Sequence, residues 1–332
     1  MVQFLASLVA PALWAASNHL NKYLLSRYMR GAGVGAIVVF AALVGVVVLP
    51  VSALLQRDAF HIGSVQPILI ALNGCLYLVA LTPFLKALRI SDASSAIPIL
   101  QVIPVLTFIL ARIFLGETLS SHQLIGGSLI LCGAVLISLE MRPDGLRTRL
   151  NVRADTLGLM LLSALCYAVS FLLFKVFATK VEFWTTAFWE SVGFIGYAAV
   201  LLTCVRPYRE EFLAVFPSNR MATVLAMLNE VINIAAKISF NYFSLWGPIT
   251  LTWLGVSFQS VFVLLYSILL AKLCPHISKE SVDGKQLMQK ILAIAIMLLG
   301  ACIMLNSPGE EGENGVLGQR RSDLFSESSA AH

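Results

Sequence analysis

Trp14-Ala15-Ala16-Ser17 followed by Lys22 recurs as Tyr167-Ala168-Val169-Ser170 followed by Lys175, and this pair of stretches decides how the chain is read. Each copy opens a series of five apolar stretches. Spans are expected near 4–25, 33–55, 67–86, 94–115 and 123–139, then near 155–177, 183–205, 221–243, 249–271 and 289–306. These lengths suit a helix crossing a membrane, which takes ~20 mostly apolar residues for a hydrocarbon core of ~30 Å. Duplicating a unit with an odd number of spans reverses its direction across the bilayer. The two copies are therefore expected to be related by an in-plane pseudo-two-fold, as in many secondary transporters. The expected fold class is an all-α integral membrane protein, ten transmembrane helices as two inverted-topology five-helix repeats.

Composition supports a lipid solvent. Hydrophobic residues make up 58% of the chain and charged residues 12%, with a mean hydropathy of +0.84, outside the range of ordinary soluble domains. Barrel strands require alternating apolar and polar residues, whereas Ile37 to Leu49 and Leu292 to Leu305 are apolar on every face. No basic residue precedes the first apolar run, so that run is expected to stay in the mature protein and not to act as a cleaved signal peptide. Cysteines 75, 132, 166, 204, 274 and 302 have no CxxC spacing and read as small packing residues. No cofactor is expected, and no nucleic-acid partner either, the latter because the net charge of +5 comes from short basic loops and not from a basic cluster.

The expected organisation is a first repeat over residues 1–141, a basic inter-repeat loop over 142–154, a second repeat over 155–306 and a disordered Gly-, Glu- and Ser-rich tail over 307–332. Further matches extend the repeat. Ala71-Leu72-Asn73 corresponds to Met227-Leu228-Asn229, and Leu131-Cys132-Gly133-Ala134 to Leu298-Leu299-Gly300-Ala301. Of 23 Lys and Arg, 16 fall in the connections after spans one, three, five, seven and nine. Basic residues near span ends stay cytoplasmic, so both termini are expected outside the cytoplasm of a multi-pass protein of the cell (inner) membrane.

Polar residues within spans mark the candidate site, since an ionisable group at mid-bilayer costs ~2.5–3.5 kcal/mol on the insertion scale. Glu230, Asn233, Lys237 and Asn241 recur at steps of three, four and four and share one helical stripe. Glu230 and Lys237 are about 10 Å apart along the axis, too far for contact, so the stripe suits either a zwitterionic ligand or partners from other helices. The first span adds Asn18, His19, Asn21 and Lys22; the sixth adds Tyr167, Ser170 and Lys175. Trp14 and Tyr167 are expected as opposing aromatic walls. Lys22 and Lys175 should lie toward opposite mouths, either snorkelling or binding ligand. Asn73, Tyr77, Gln101 and Ser257 supply further polar groups, which either line a cavity or only bond between helices for ~0.6 kcal/mol each. Glu190, Glu230 and His19 are the candidates for proton coupling: a carboxylate in a low-dielectric site holds its proton more tightly, and histidine relays protons. Hydration of Glu190 near the interface and a structural role for His19 are the alternatives.

Ser91-Asp92-Ala93-Ser94-Ser95-Ala96, Pro98, Pro104, Gly116-Glu117-Thr118-Leu119, Gln123, Ile125-Gly126 and Gly133 form an ordered series. Together they resemble the EamA-type domain of the drug/metabolite transporter superfamily. The second half departs from the pattern, with Ser260 facing Pro104 and Leu273 facing Glu117. The resemblance implies ten helices, two inverted repeats, a central cavity and alternating access, with substrates from amino acids to nucleotide sugars and drugs. By chemistry alone, Pro98 and Pro104 kink the fourth helix or hinge it, Gly126 and Gly133 let helices approach closely, and Glu117 caps or pairs, with Arg112 as the near partner.

The expected function is a secondary transporter of a small polar or amphipathic organic metabolite, acting in the lipid bilayer as a monomer or homodimer. There is no G-x-x-x-x-G-K-[ST] phosphate loop for an ATP-driven version. The competing classes are a membrane-embedded enzyme, for which H-E-x-x-H and G-x-S-x-G are both missing, a channel, and a structural membrane protein.

Overall fold

A computed structural model describes residues 2–28, 34–56, 62–63, 65–90, 97–138, 154–215, 219–273 and 284–305. Ser91 to Ala96, nearly all of the inter-repeat loop and the tail lie outside the described residues. Within them every regular element is helical. In chain order these are α1 (Val2–Ser7), α2 (Val9–Arg27), α3 (Gly35–Leu43), α4 (Gly45–Leu55), α5 (Gln66–Ile90), a 3-10 segment (Ile97–Val102), α6 (Ile103–Leu115) and α7 (Ser121–Ser138). The second half follows as α8 (Ala154–Val181), α9 (Phe183–Cys204), α10 (Arg206–Val215), α11 (Arg220–Ser244), α12 (Ile249–Val256), α13 (Gln259–Leu273) and α14 (Gly284–Leu305).

Among the described residues, seven helical segments are long and apolar enough to cross a membrane, and Ile99–Leu115 and Ser121–Leu136 are shorter apolar helices. Val47, Leu54, Ile68, Ile113, Phe114 and Met288 stand exposed on the outside, as lipid-facing side chains do, because in lipid only the backbone has to be satisfied internally. The protein is an integral membrane protein.

Local chemistry explains where spans break. Pro104 sits in the first turn of α6, where its missing N–H costs no intrahelical bond, so the fourth span is a 3-10 segment followed by a helix. Gly116 ends α6 in the left-handed region at φ 65°, with its N–H donating to Ala111 O. Ser120 and Gln123 then cap α7 reciprocally: Gln123 N donates to Ser120 Oγ at 3.2 Å and Ser120 N to Gln123 Oε1 at 2.9 Å. Asn219 caps α11 by accepting from Ala222 N at 3.1 Å.

The helices of the two halves interleave. α5 packs on α8 and α9, α2 on α11 and α13, α6 on α8, α4 on α9, and α7 on α14. At the α7–α14 crossing a side chain on Gly126 would strike Gly300 O, one on Gly300 would strike Gly126 O, and one on Gly133 would strike Ala293 O. α5 and α9 approach as closely, with Gly74 against the Glu190 backbone and Gly193 against that of Ala71. The five described cysteines are free thiols.

Candidate functional site

Three polar clusters occupy the interior, and the deepest is an ion pair. Lys237 on α11 donates to Glu190 on α9, with side-chain exposures of 3% and 5%. Asn73 on α5 donates to the other oxygen of Glu190 at 3.3 Å. The close α5–α9 contact at Gly74 and Gly193 brings that amide within reach. The ammonium also lies 4.8 Å from the Tyr77 ring centre, 5.1 Å from Phe174, 5.5 Å from Phe194 and 5.8 Å from Phe171, all within cation–π range. The charge is thus met by a carboxylate and by the negative faces of four rings. Asn73 Oδ1 and Asn241 Oδ1, both buried in this region, have no hydrogen-bond partner among the described residues.

A second cluster joins α2 to α11. Asn229 Nδ2 donates to Glu230 Oε1 at 3.0 Å and to Asn21 Oδ1 at 3.0 Å; Asn233 Nδ2 donates to Glu230 Oε2 at 3.4 Å. Ser17 Oγ lies 2.8 Å from both Asn229 Oδ1 and Asn233 Oδ1, and accepts from Asn21 Nδ2 at 3.4 Å. Glu230 is 7% exposed and has no ion-pair partner among the described residues.

The third cluster ties three elements at one end of the bundle. Lys175 on α8 donates to Glu117 at 2.5 Å and to Gly247 O at 2.6 Å. Glu117 in turn accepts from Ile249 N, the first amide of α12, at 3.1 Å. A carboxylate is favoured at a helix N-terminus by the unpaired amides there.

Several expectations need correction. Glu117 pairs with Lys175 and not with Arg112, which is exposed; the left-handed turn at Gly116 carries Glu117 past the end of α6 and away from that neighbour. Lys175 does not snorkel but is buried and bonded. Glu190 is 4% exposed, so hydration near an interface does not apply to it. Trp14 and Tyr167 do not enclose a gap. Both rings pack on Phe171, at 6.2 and 6.4 Å between centres, and Tyr167 also meets Tyr77 at 5.5 Å. The centre is closed in this conformation: the cavity beside Glu190, Lys237 and Asn241 measures about 10 Å³, room for one water at most.

The remaining candidates are dispersed. His19 Nε2 bonds to Val263 O at 3.1 Å and its ring meets Tyr266. The Ser257 hydroxyl is buried with no hydrogen-bond partner among the described residues. Asn18 and Gln101 are half-buried and join none of the three clusters. Sequence reasoning missed Phe171, Phe174 and Phe194 as the cage of Lys237, since an apolar residue in an apolar span carries no signal of which ring meets a charge. It also missed Ser17 as the bridge between two amides, although the recurrence of Ser17 as Ser170 was there to be read.

Residues 2–139 match the EamA-like transporter family. The "Probable amino-acid metabolite efflux pump" of Salmonella typhimurium is 29% identical over 163 residues, 47% of this chain and 52% of the relative. The chain spans about half the length of that curated relative. A solved structure described only as "Crystal structure of protein" superposes with a TM-score of 0.61 over 91% of this chain and 96% of its own, at 16% identity; that likeness shows the fold alone.

Proposed function

We propose that this chain, whose residues 2–139 match the EamA-like transporter family, is a secondary transporter moving a small polar or amphipathic organic metabolite by alternating access. Ten transmembrane helices form two inverted five-helix repeats around the Glu190–Lys237 pair. The conformation described above is the closed one. Transport is coupled to a proton carried by a buried carboxylate, in the cell (inner) membrane, with both termini outside the cytoplasm and the chain acting as a monomer or homodimer.

The carrying observation is the sealed Glu190–Lys237 pair, held by side chains from both halves. Two charges and two amide oxygens with no hydrogen-bond partner among the described residues, Asn73 Oδ1 and Asn241 Oδ1, are costly in a membrane interior unless they meet a solute when the helices part. A metabolite bearing an amine and a carboxylate answers both signs, and the name of the Salmonella relative puts amino-acid metabolites first among candidates.

Four pairs of contacts support the inverted repeat, because exchanging the halves turns one member of each pair into the other. The α5–α8 packing exchanges with α11–α2, and α6–α8 with α13–α2. Ser17 donates to Asn229 Oδ1 at 2.8 Å, and its counterpart Ser170 donates to the Asn73 carbonyl at 3.5 Å. Gly133 against Ala293 maps onto Gly300 against Gly126.

Counterflow in proteoliposomes tests the function. Vesicles preloaded with unlabelled amino-acid metabolites, amines or sugars are expected to accumulate the labelled form of one class, and K237A to stop it. Lipid turnover without exchange of any solute would instead support the enzyme reading.

A further inference from the structure

The contacts around Glu230 constrain where hydrogens are. Ser17 Oγ is 2.8 Å from Asn229 Oδ1 and 2.8 Å from Asn233 Oδ1, and a hydroxyl owns a single proton. One of these two oxygen–oxygen contacts therefore contains no hydrogen. Either asparagine can relieve it by a half-turn of its amide, which exchanges nitrogen and oxygen in place. That half-turn sets a carbonyl oxygen against Glu230, at Oε1 for Asn229 and at Oε2 for Asn233. An ionised carboxylate only accepts and leaves that contact without a hydrogen, whereas a carboxylic acid fills it. With Glu230 ionised, the cluster is one hydrogen short in either arrangement. With Glu230 neutral, every contact has its hydrogen.

Asn229 is fixed by its second donated bond, to Asn21 Oδ1 at 3.0 Å, so Asn233 is the amide that turns. We propose that Glu230 is protonated while α2 is closed on α11, with its Oε2–H donating to Asn233 Oδ1 and Asn233 Nδ2 donating to Ser17. Loss of that proton to water at an opening mouth turns Asn233 back to the carboxylate, sets two carbonyl oxygens against one hydroxyl, and releases α2. Asn233 acts as a positioning residue. The inference rests on the transporter reading and assigns the coupling proton to Glu230.

Among the described residues, the groups around Glu230 are otherwise engaged or neutral. Tyr77 on α5 lies within electrostatic range of both Glu190 and Glu230, and Tyr167 on α8 within range of Glu230. Glu190 on α9 is already neutralised by Lys237, two turns along α11 from Glu230. On α2, His19 is bonded to Val263 O, and Tyr23 and Arg27 stack with Tyr28; Lys22 is a further cation of that helix. α1, α3 and α12, which also touch α11, carry no titratable side chain.

Infrared spectroscopy of the purified protein in lipid nanodiscs reads a protonated carboxyl by its C=O stretch. At neutral pH the wild type is expected to show this band, E230Q to lose it and E210Q, at an exposed ion pair, to keep it. Raising the pH should bleach the wild-type band and lower thermal stability together, and E230Q, whose amide donates as the acid does, should hold its stability. Absence of the band from the wild type at neutral pH, or its survival in E230Q, overturns the proposal. Sodium-dependent stabilisation of the wild type without a carboxyl band also overturns it, by assigning the oxygens to a metal cation. If E230Q does not fold, the pH titration of the wild-type band decides alone. The spectrum does not depend on transport, so counterflow missing with the band present counts against the carrier, and counterflow present with the band missing counts against the proton only.

Discussion

Glu190 and Glu230 are both buried carboxylates, on neighbouring helices, yet their surroundings differ in kind. Glu190 has a lysine and an amide, and that lysine has four aromatic rings around it. Glu230 has two asparagines and no cation among the described residues. One site carries a charge balanced inside the protein, and the other is met by neutral amides alone among the described residues, which is what the proposed exchange of a proton with water would need. Burial alone does not tell these cases apart; the count of opposite charges and available hydrogens does.

The largest expected effect falls on the balanced pair. K237A strands the Glu190 charge beside a cavity with room for one water at most, and removing one partner of a buried pair costs about 3–5 kcal/mol. Thermal unfolding in nanodiscs should therefore drop steeply, while the double variant E190L/K237M should recover much of the loss. A double variant no better than K237A would break the comparison, by showing that Glu190 depends on something other than the lysine. A smaller effect is expected at the other carboxylate. S17A removes one hydroxyl and with it the bridge between Asn229 and Asn233, for about 0.5–1.5 kcal/mol. It should also flatten the pH dependence of stability, a change that loss of packing alone does not produce, and an unchanged pH profile would separate Ser17 from the Glu230 proton.

The sequence made some of this legible and hid the rest for definable reasons. The stripe of Glu230, Asn233, Lys237 and Asn241 was readable because helical spacing is fixed by backbone geometry, and three of the four residues are buried, with Asn233 half-buried. The break at Pro104 was readable because a missing N–H has only a few tolerated positions. The partner of Lys237 was not. Glu190 lies 47 residues away on another helix, and spacing within one helix carries no information about which residue of another helix faces it. The Arg112 expectation for Glu117 failed because chain proximity was taken for spatial proximity across a left-handed turn. The walls expected at Trp14 and Tyr167 were well matched as positions, but Phe171, one residue beyond Ser170, fills the space between them.

The most direct test of the central claim uses the matched serines. In a background with all six cysteines replaced, Ser17→Cys on α2 and Ser170→Cys on α8 are labelled with a membrane-impermeant thiol reagent applied from one side of the vesicle or the other. Two inverted repeats that open alternately predict that each position reacts from one side only, that the two sides are opposite, and that added solute protects both. Reaction of both positions from the same side, or solute exchange while neither position reacts from either side, would contradict the account.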